Sequence, residues 1–554
     1  MNQMTERNPV TSTTRLLPVL AALAVLFAAT AHAAAPGITG LTFNLTTQAA
    51  YITQPDGQMV YSWGYGCASG VTPTFLPAAI TTGFCSTMQI PGPTLIVNEG
   101  DVVTVNLTNG LPTAAGNTSI LFPGFNATSS CPVSTAPGAP QQGLLTCEAT
   151  PGGTVTYTFT ASSPGTRSYY SGTQGDLQIE MGLYGAIIVL PKNIREHCTA
   201  QTSIAAKNSA AQAHWGEADF RLAKAAYNLD AACYDREYLF QFSEMDPNIH
   251  SQALAQVTAA GSCAAGSPGC SLNVPTEPYH PAYFMINGRS MPDDMDPNYS
   301  SMYPHQPYNG NPHLHPGEAV LLRIIGQGRW QHPFHEHGNH VRILARDGNP
   351  ILSATDPQGQ ALAGPALFTT TTTPGQAMDG IFYFTGRGLN WDMYGHNPKS
   401  NDLNAKLPCI PDGSGLANGY NIADPTAINY YEWCQDHNKP LEVAPFGDVA
   451  SGGPATLPNP NILTNGPWYG GSPYLGPNAT TRATFGTCNG GSCSTTGTTP
   501  PSGTIANPPS TEAGFAFMWH SHNEREITTN NAFPGGMLMM MLVDSREFVI
   551  DESN

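Results

Sequence analysis

Trp330-Gln331-His332-Pro333-Phe334-His335-Glu336-His337-Gly338-Asn339-His340 is the stretch whose reading decides the fold of this chain, and His520-Ser521-His522 is its distant counterpart. Side chains alternate faces along an extended strand, so His335 and His337 project to one side and His332, an odd number of residues away, to the other. By the same rule His520 and His522 share a face and Ser521 points away. Two such strands lying side by side bring four imidazoles to one spot. Imidazole nitrogen suits copper, zinc, iron and nickel, and a His cluster poor in carboxylates favours copper or zinc over calcium or magnesium. Most of the sixteen His in the chain are read as ordinary polar residues. Two His-x-His pairs are a metal-ligand signal. His335, His337, His520 and His522 are therefore the candidate metal ligands, with His332 and His340 as further candidates, and copper is the expected metal ahead of zinc or another transition metal.

Outside these stretches the composition describes a turn-rich β protein. The 554 residues include 57 Gly and 49 Pro, only 11% are charged, and the net charge is −18. That balance argues against nucleic acid and against an anionic membrane surface as partner, and suits attraction of cations. Arg7 and Arg15, the apolar run Leu16 to Ala29 broken by Pro18, and Ala31-His32-Ala33-Ala34 read as a secretory signal over residues 1–35. The run is too short to span a bilayer, and no later segment does so, which gives a secreted or periplasmic protein with no membrane span. Twelve Cys in an exported chain favour disulfides. Sequence does not fix their connectivity; pairing neighbours in order closes short loops and gives Cys67–Cys85, Cys131–Cys147, Cys198–Cys233, Cys263–Cys270, Cys409–Cys434 and Cys488–Cys493.

From Ile38 to Leu190 the pattern is strands and turns. Val103, Val105 and Leu107 alternate with Thr104 and Asn106, Thr154 to Thr160 alternates as cleanly, and Gly185 to Leu190 is wholly apolar. A small antiparallel sandwich is the expected product. Gln201 to Asp235 reads as a connector with a short helix. A second β unit runs from Arg236 through Tyr283–Gly288, Gly317–Ile325, the His strand and Gln376–Phe384. Residues from about 386 to 511 lose periodicity and read as a long loop-rich insertion or lid. The β pattern resumes at Phe515–His520 and closes with Gly536–Val543, where alternate Met point to opposite faces and pack, leaving Met537 as a neighbour of the metal region. His313 and His315 form a third His-x-His pair, read as an exposed loop or an accessory metal site.

With these residues in hand, the chain resembles the multicopper oxidases, the laccase-like cupredoxin proteins. Pro91-Gly-Pro-Thr-Leu-Ile96 with Glu99-Gly-Asp-Val-Val-Thr-Val105 looks like the opening of their first domain, and Gly182-Leu-Tyr-Gly-Ala-Ile-Ile-Val189 like its close. Phe284-Met-Ile-Asn-Gly288, Gly317-Glu-Ala-Val-Leu-Leu-Arg323 and His332-Pro-Phe-His-Glu-His-Gly338 are similar to the copper-binding second half. His520-Ser-His522 with Gly536-Met537 stands at the family's His-Cys-His and Gly-Met signature. The resemblance implies an all-β chain of two cupredoxin-like Greek-key β-sandwich domains, 36–195 and 236–554, with the connector at 196–235 and the insertion inside the second domain.

The resemblance also marks departures. Ser521 replaces the Cys whose thiolate makes the blue type 1 site, and a neutral hydroxyl is a poor copper ligand. Glu526 stands for the second type 1 His, which leaves His332 an orphan. Ser119-Ile-Leu-Phe-Pro-Gly124 and Tyr169-Tyr-Ser-Gly-Thr173 stand where the first domain shows its two His-x-His pairs. His335, His337, His520 and His522 are half of the trinuclear ligand set, enough for one or two ions with Glu524 or Glu526 assisting. Two function classes follow. One is an exported copper oxidoreductase with a mononuclear, type-2-like His site acting on a small molecule or metal ion; the other is a non-catalytic metal-binding or structural and interaction protein.

Overall fold

Thr154–Thr160 forms a strand in which Val155, Tyr157 and Phe159 are buried while Thr154, Thr156 and Thr160 face solvent. It pairs antiparallel with Val102–Asn109, which buries Val103, Val105 and Leu107 on the same side. Two strands that each show one apolar face must cover it with a second layer. A five-stranded sheet does so, ordered Gly165–Tyr170, Tyr184–Leu190, Leu95–Asn98, Gly37–Thr39, Thr74–Leu76. A computed structural model describes residues 35–134, 136–201, 203–387, 408–411, 419–435, 517–544, 546 and 549–552, with backbone alone at 488–489, 492–493 and 514–516. The signal segment and most of the 386–511 stretch lie outside these residues.

The second half repeats the architecture. Its larger sheet has seven strands, centred on Arg236–Met245, Ala319–Gly326 and Ala377–Tyr383. Facing it is a sheet ordered His313–Leu314, Leu538–Asp544, Gly514–Ser521, His332–Glu336, Thr369–Thr372. The chain is all-β, with cupredoxin-like sandwiches. The sandwiches are not purely antiparallel as the alternation suggested. Leu95–Asn98 runs parallel to Tyr184–Leu190, Thr42–Thr53 to Val102–Asn109, and Arg236–Met245 to Ala319–Gly326. Side-chain periodicity is the same in both pairings, so only the crossover connections decide direction.

The Met-rich terminal strand packs as its alternation requires. Met537, Met539, Met541 and Val543 join Phe334 and Trp519 in the core, while Leu538, Met540 and Leu542 cover Met291 and Ile527 on the other face. Met537 is therefore no neighbour of the His cluster through its side chain; only its carbonyl is near, accepting from Ser521 N at 2.9 Å. A helix at Ile204–Trp215 is capped by Ser203, whose hydroxyl accepts from Ala206 N. A longer helix at Pro247–Ala260 escaped the strand pattern, although Asp246 and Pro247 carry a start signal: the Asp246 carboxylate accepts from Asn248 N and Pro occupies the first turn. It buries Ile249 and Ala253 in the core of the first sandwich and so ties the two halves together.

Five disulfides form among the described residues, Cys67–Cys85, Cys131–Cys147, Cys198–Cys233, Cys263–Cys270 and Cys409–Cys434, as neighbour pairing anticipated. The side chains of Cys488 and Cys493 lie outside the described residues, but the two positions face each other across a two-stranded ribbon. Titration of the denatured, unreduced chain should accordingly find no thiol. One thiol per chain would refute the six-bridge framework and reopen the search for a Cys ligand.

Candidate metal centre

The His strand pairs antiparallel with Gly514–Ser521 in a register that sets His335 opposite His520, Phe334 opposite Ser521, and Glu336 opposite Trp519. Directly opposed residues project from the same face. The outer face therefore carries His335 and His520, and His337 follows on it one step past the strand end. The inner face carries Phe334, Ser521 and Trp519, all buried. Thr369–Thr372, a run of β-branched residues that drew no functional reading from sequence, flanks the His strand on its other edge.

On the outer face, His335, His337 and His520 each place one ring nitrogen within 4.8 Å of the others. His520 Nδ1 lies 2.7 Å from the Ser521 carbonyl, which can only accept, so Nδ1 holds the proton and Nε2 keeps its lone pair. That Nε2 sits 3.2 Å from His337 Nε2. Two imidazole nitrogens bound tetrahedrally at about 2.0 Å to one ion would be about 3.3 Å apart, so the spacing fits a shared metal. His335 Nδ1 is 2.8 Å from Thr369 Oγ1, which fixes its ring and turns Nε2 to the cluster. His337 Nδ1 is buried with no hydrogen-bond partner among the described residues. His522 is exposed at the open side, its ring centre 4.9 Å from that of His335.

Electrostatics keep these rings neutral. Burial, then the neighbouring His520 and His522, lowers His335 to about 4. Burial, then His520 and His335, lowers His337 to about 3, and burial lowers His520. Neutral imidazoles with converging lone pairs are what a transition metal needs, because each ligand must be unprotonated.

His332 is not the orphan that the lost type 1 ligands implied. On the inner face its Nε2 is 2.9 Å from Glu244 Oε2, and its Nδ1 makes a 2.9 Å ion-pair contact with Glu526 Oε2. Ser521 Oγ donates to the same Glu526 oxygen, and Asn523 Nδ2 donates to Glu526 Oε1 at 2.9 Å. All three members of the triad are buried. Burial opposes charge on His332, but its contacts with Glu244 and Glu526 outweigh that and raise its pKa to about 9. Glu244 also accepts from the backbone N–H groups of Arg329 and Trp330. The sequence carried one signal for it, a lone acid inside the otherwise apolar and polar-neutral run Tyr238 to Met245.

The remaining candidates separate from the cluster. His340 packs on Phe368, ring centres 5.1 Å apart, and Phe368 in turn meets His335 at 6.0 Å. Glu526 belongs to the His332 side, and Glu524 is exposed. In the first domain, Ser119 Oγ and Thr173 Oγ1 bond at 2.8 Å and the Thr173 hydroxyl donates to Glu148 Oε1, a hydroxyl network rather than a ligand set. His313 and His315 are buried, contrary to the exposed-loop reading. His315 Nε2 bonds Glu217 Oε1, and His313 Nε2 bonds Asp544. Glu217, His315 and Glu318 come together, but the Arg236 guanidinium grips both acids and Arg546 grips Glu318, so two fixed cations already neutralise them. Pro and Asn neighbours signal a turn, and nothing local reveals that the C-terminal strand pairs with His313 and Leu314 and covers them.

Family models described as multicopper oxidase match residues 76–194 and 275–385. Among curated proteins the chain is 40% identical over 101 residues to an L-ascorbate oxidase of Brassica rapa subsp. pekinensis, covering 18% of this chain and 16% of that protein. It is 36% identical over 102 residues to Laccase-3 of Botryotinia fuckeliana, covering 18% and 20%. The chain thus spans a fifth or less of the length of these relatives. Among solved structures, a blue copper oxidase from Nitrosomonas europaea is 16% identical with a TM-score of 0.41, over 91% of this chain and 85% of that one.

Folded His332 keeps its proton to about pH 9, whereas an unfolded His releases it near 6.5. Stability from the triad is then complete below about pH 6.5 and is lost as pH rises through about 9, roughly 3 kcal/mol in all. Denaturant unfolding should show the unsubstituted protein losing about that much more between these limits than His332→Gln. Parallel pH profiles would mean the triad carries no extra proton.

Proposed function

This chain is a divergent member of the multicopper oxidase family, and we propose that it is an exported copper protein, an oxidoreductase built on one mononuclear His site in place of a blue type 1 centre and a complete trinuclear cluster. The observation that carries the reading is the convergence of neutral imidazole nitrogens from His335, His337 and His520, with His522 at the open side. In this reading the division is a first cupredoxin-like domain at 36–195, a connector at 196–235 and a second domain at 236–554. The signal-like N-terminus and the disulfide framework support export.

The donor set suits copper or zinc better than a hard cation, since no carboxylate stands among the converging nitrogens. Copper held there supplies one-electron redox chemistry and a position left open to a small molecule. The protein's part is orientation. Thr369 and the Ser521 carbonyl each fix one ring nitrogen so that the other faces the cluster. The sheet behind the site, with Phe334 and Trp519, excludes water from one side, and the exposed His522 edge is where a substrate approaches. Relatives named as laccases and ascorbate oxidases make a small oxidisable organic molecule the first substrate class to try; a metal ion is the second. Because Ser521 offers a hydroxyl already committed to Glu526, electrons cannot enter through a thiolate wire.

Copper content and electron paramagnetic resonance test the assignment. Copper-loaded protein should show a type-2-like spectrum without the intense blue charge-transfer band of Cys-ligated copper. His335→Ala and His520→Ala should each lower bound copper severalfold, and His332→Gln should leave it nearly unchanged. Loss of copper in His332→Gln alone would move the site to the inner face. Full copper in all three variants would leave the fold as a structural and interaction module.

A further inference from the structure

A cavity of about 430 Å³ lies away from the His cluster's ligands, between the connector, the start of the Ala319–Gly326 strand, the end of the Ala377–Tyr383 strand and the described part of the insertion. Its size is that of a small-molecule site. Asp235, Tyr383, Tyr420 and Tyr431 line it, with Asp230 and His197 at one side.

The aromatic wall is built, not incidental. The Tyr431 ring lies against the backbone at Gly317, where a Cβ would come within 2.1 Å of it, and Gly317 has φ +80°, so a side chain there is excluded twice. Tyr420 and Tyr431 rings stand 5.0 Å apart, tilted by 34°. Backbone bonds from Asn421 N to the Glu432 carbonyl and from Tyr431 N to the Asn421 carbonyl, together with Cys409–Cys434, hold this segment in place. Burial first, then the charges of Tyr420, Tyr430, Asp235 and Tyr383, raises the Tyr431 hydroxyl to about 12, so these groups lie within electrostatic reach of one another.

Asp235 is the charged member. It is 4% exposed; Oδ2 accepts from Asn208 Nδ2 at 2.8 Å and from Ala319 N at 2.9 Å, while Oδ1 has no partner among the described residues. Burial, then nearby Glu318, pushes its carboxyl up to about 6. Arg221, whose charge reaches Asp235, is committed to Asp219 through two bonds and to the Tyr234 carbonyl. Asp230 pairs with Arg195. No Lys or Arg stands among the described lining residues. Aromatic faces around a carboxylate with one unpartnered oxygen, with no Lys or Arg on the described lining, are the chemistry that selects an organic cation over an anion or a neutral molecule.

We infer that this cavity binds an organic ammonium carrying an aromatic ring, its cation directed to Asp235 and its ring to Tyr420 and Tyr431. The inference stands apart from the metal reading, since it uses none of the cluster's residues. Calorimetric titration of the full chain with 2-phenylethylammonium chloride, and with the neutral 2-phenylethanol as its counterpart, tests it. The ammonium should bind at one site per chain, the alcohol about tenfold or more weaker. Asp235→Asn should abolish the preference for the ammonium, and Tyr420→Leu should weaken both probes severalfold. Equal binding of the two probes, binding of neither, or an undiminished preference in Asp235→Asn overturns the proposal. Should Asp235→Asn fail to fold by near-ultraviolet circular dichroism, the comparison of probes on the unsubstituted protein and the Tyr420→Leu titration decide it.

Discussion

The pairing register between His332–Glu336 and Gly514–Ser521 is the constraint on which the rest depends. Side chains alternate with a period of two, so a slip of one residue would exchange the faces of every residue in the strand. It would carry Phe334 and Trp519 out of the core and drive His335 and His520 into it. Apolar burial on one face thus enforces the convergence of imidazoles on the other. These imidazoles need no local device to find one another across the long intervening stretch.

The inner face behind the imidazole cluster holds a buried ionic group of its own. His332, left with two acids nearby, is held as an imidazolium between Glu244 and Glu526, and Ser521 donates to Glu526. The imidazolium offsets one of the two carboxylate charges, and N–H and O–H donors from Arg329, Trp330, Ser521 and Asn523 solvate both acids. Removing one partner of such a set is costly because the other stays buried and uncompensated. The same logic operates at the far end of the second sandwich, where Arg236 and Arg546 neutralise Glu217 and Glu318 beside His315. One His-x-His pair therefore faces other imidazoles and the other faces carboxylates. Their surroundings, not their spacing, separate an imidazole cluster from an ionic knot.

The two halves of the molecule are joined by contacts that local pattern does not announce. Ile249 and Ala253, from a helix in the second half, complete the first core. Asp379, on a second-sandwich strand, accepts from Thr166 N and Thr166 Oγ1 of the first and from Tyr227 OH of the connector. Buried polar groups satisfied across the junction fix the sandwiches in one arrangement.

Much of this was legible in the sequence because it rests on short-range rules. The alternation of Thr154–Thr160 and of the terminal Met run states which side chains are buried, His-x-His spacing states which share a face, and the Cys order states five observed bridges. Sequence by itself determined that the chain is all-β and that each His pair has one face. Tertiary structure alone decided the parallel crossovers, the burial of His313 and His315 under the last strand, the partners of His332, and the Tyr-lined cavity around Asp235. The physical reason is common to all four. Periodicity along a strand is set by backbone geometry and can be read from neighbours, whereas pairing direction, charge compensation and cavity walls are set by residues tens to hundreds of positions away.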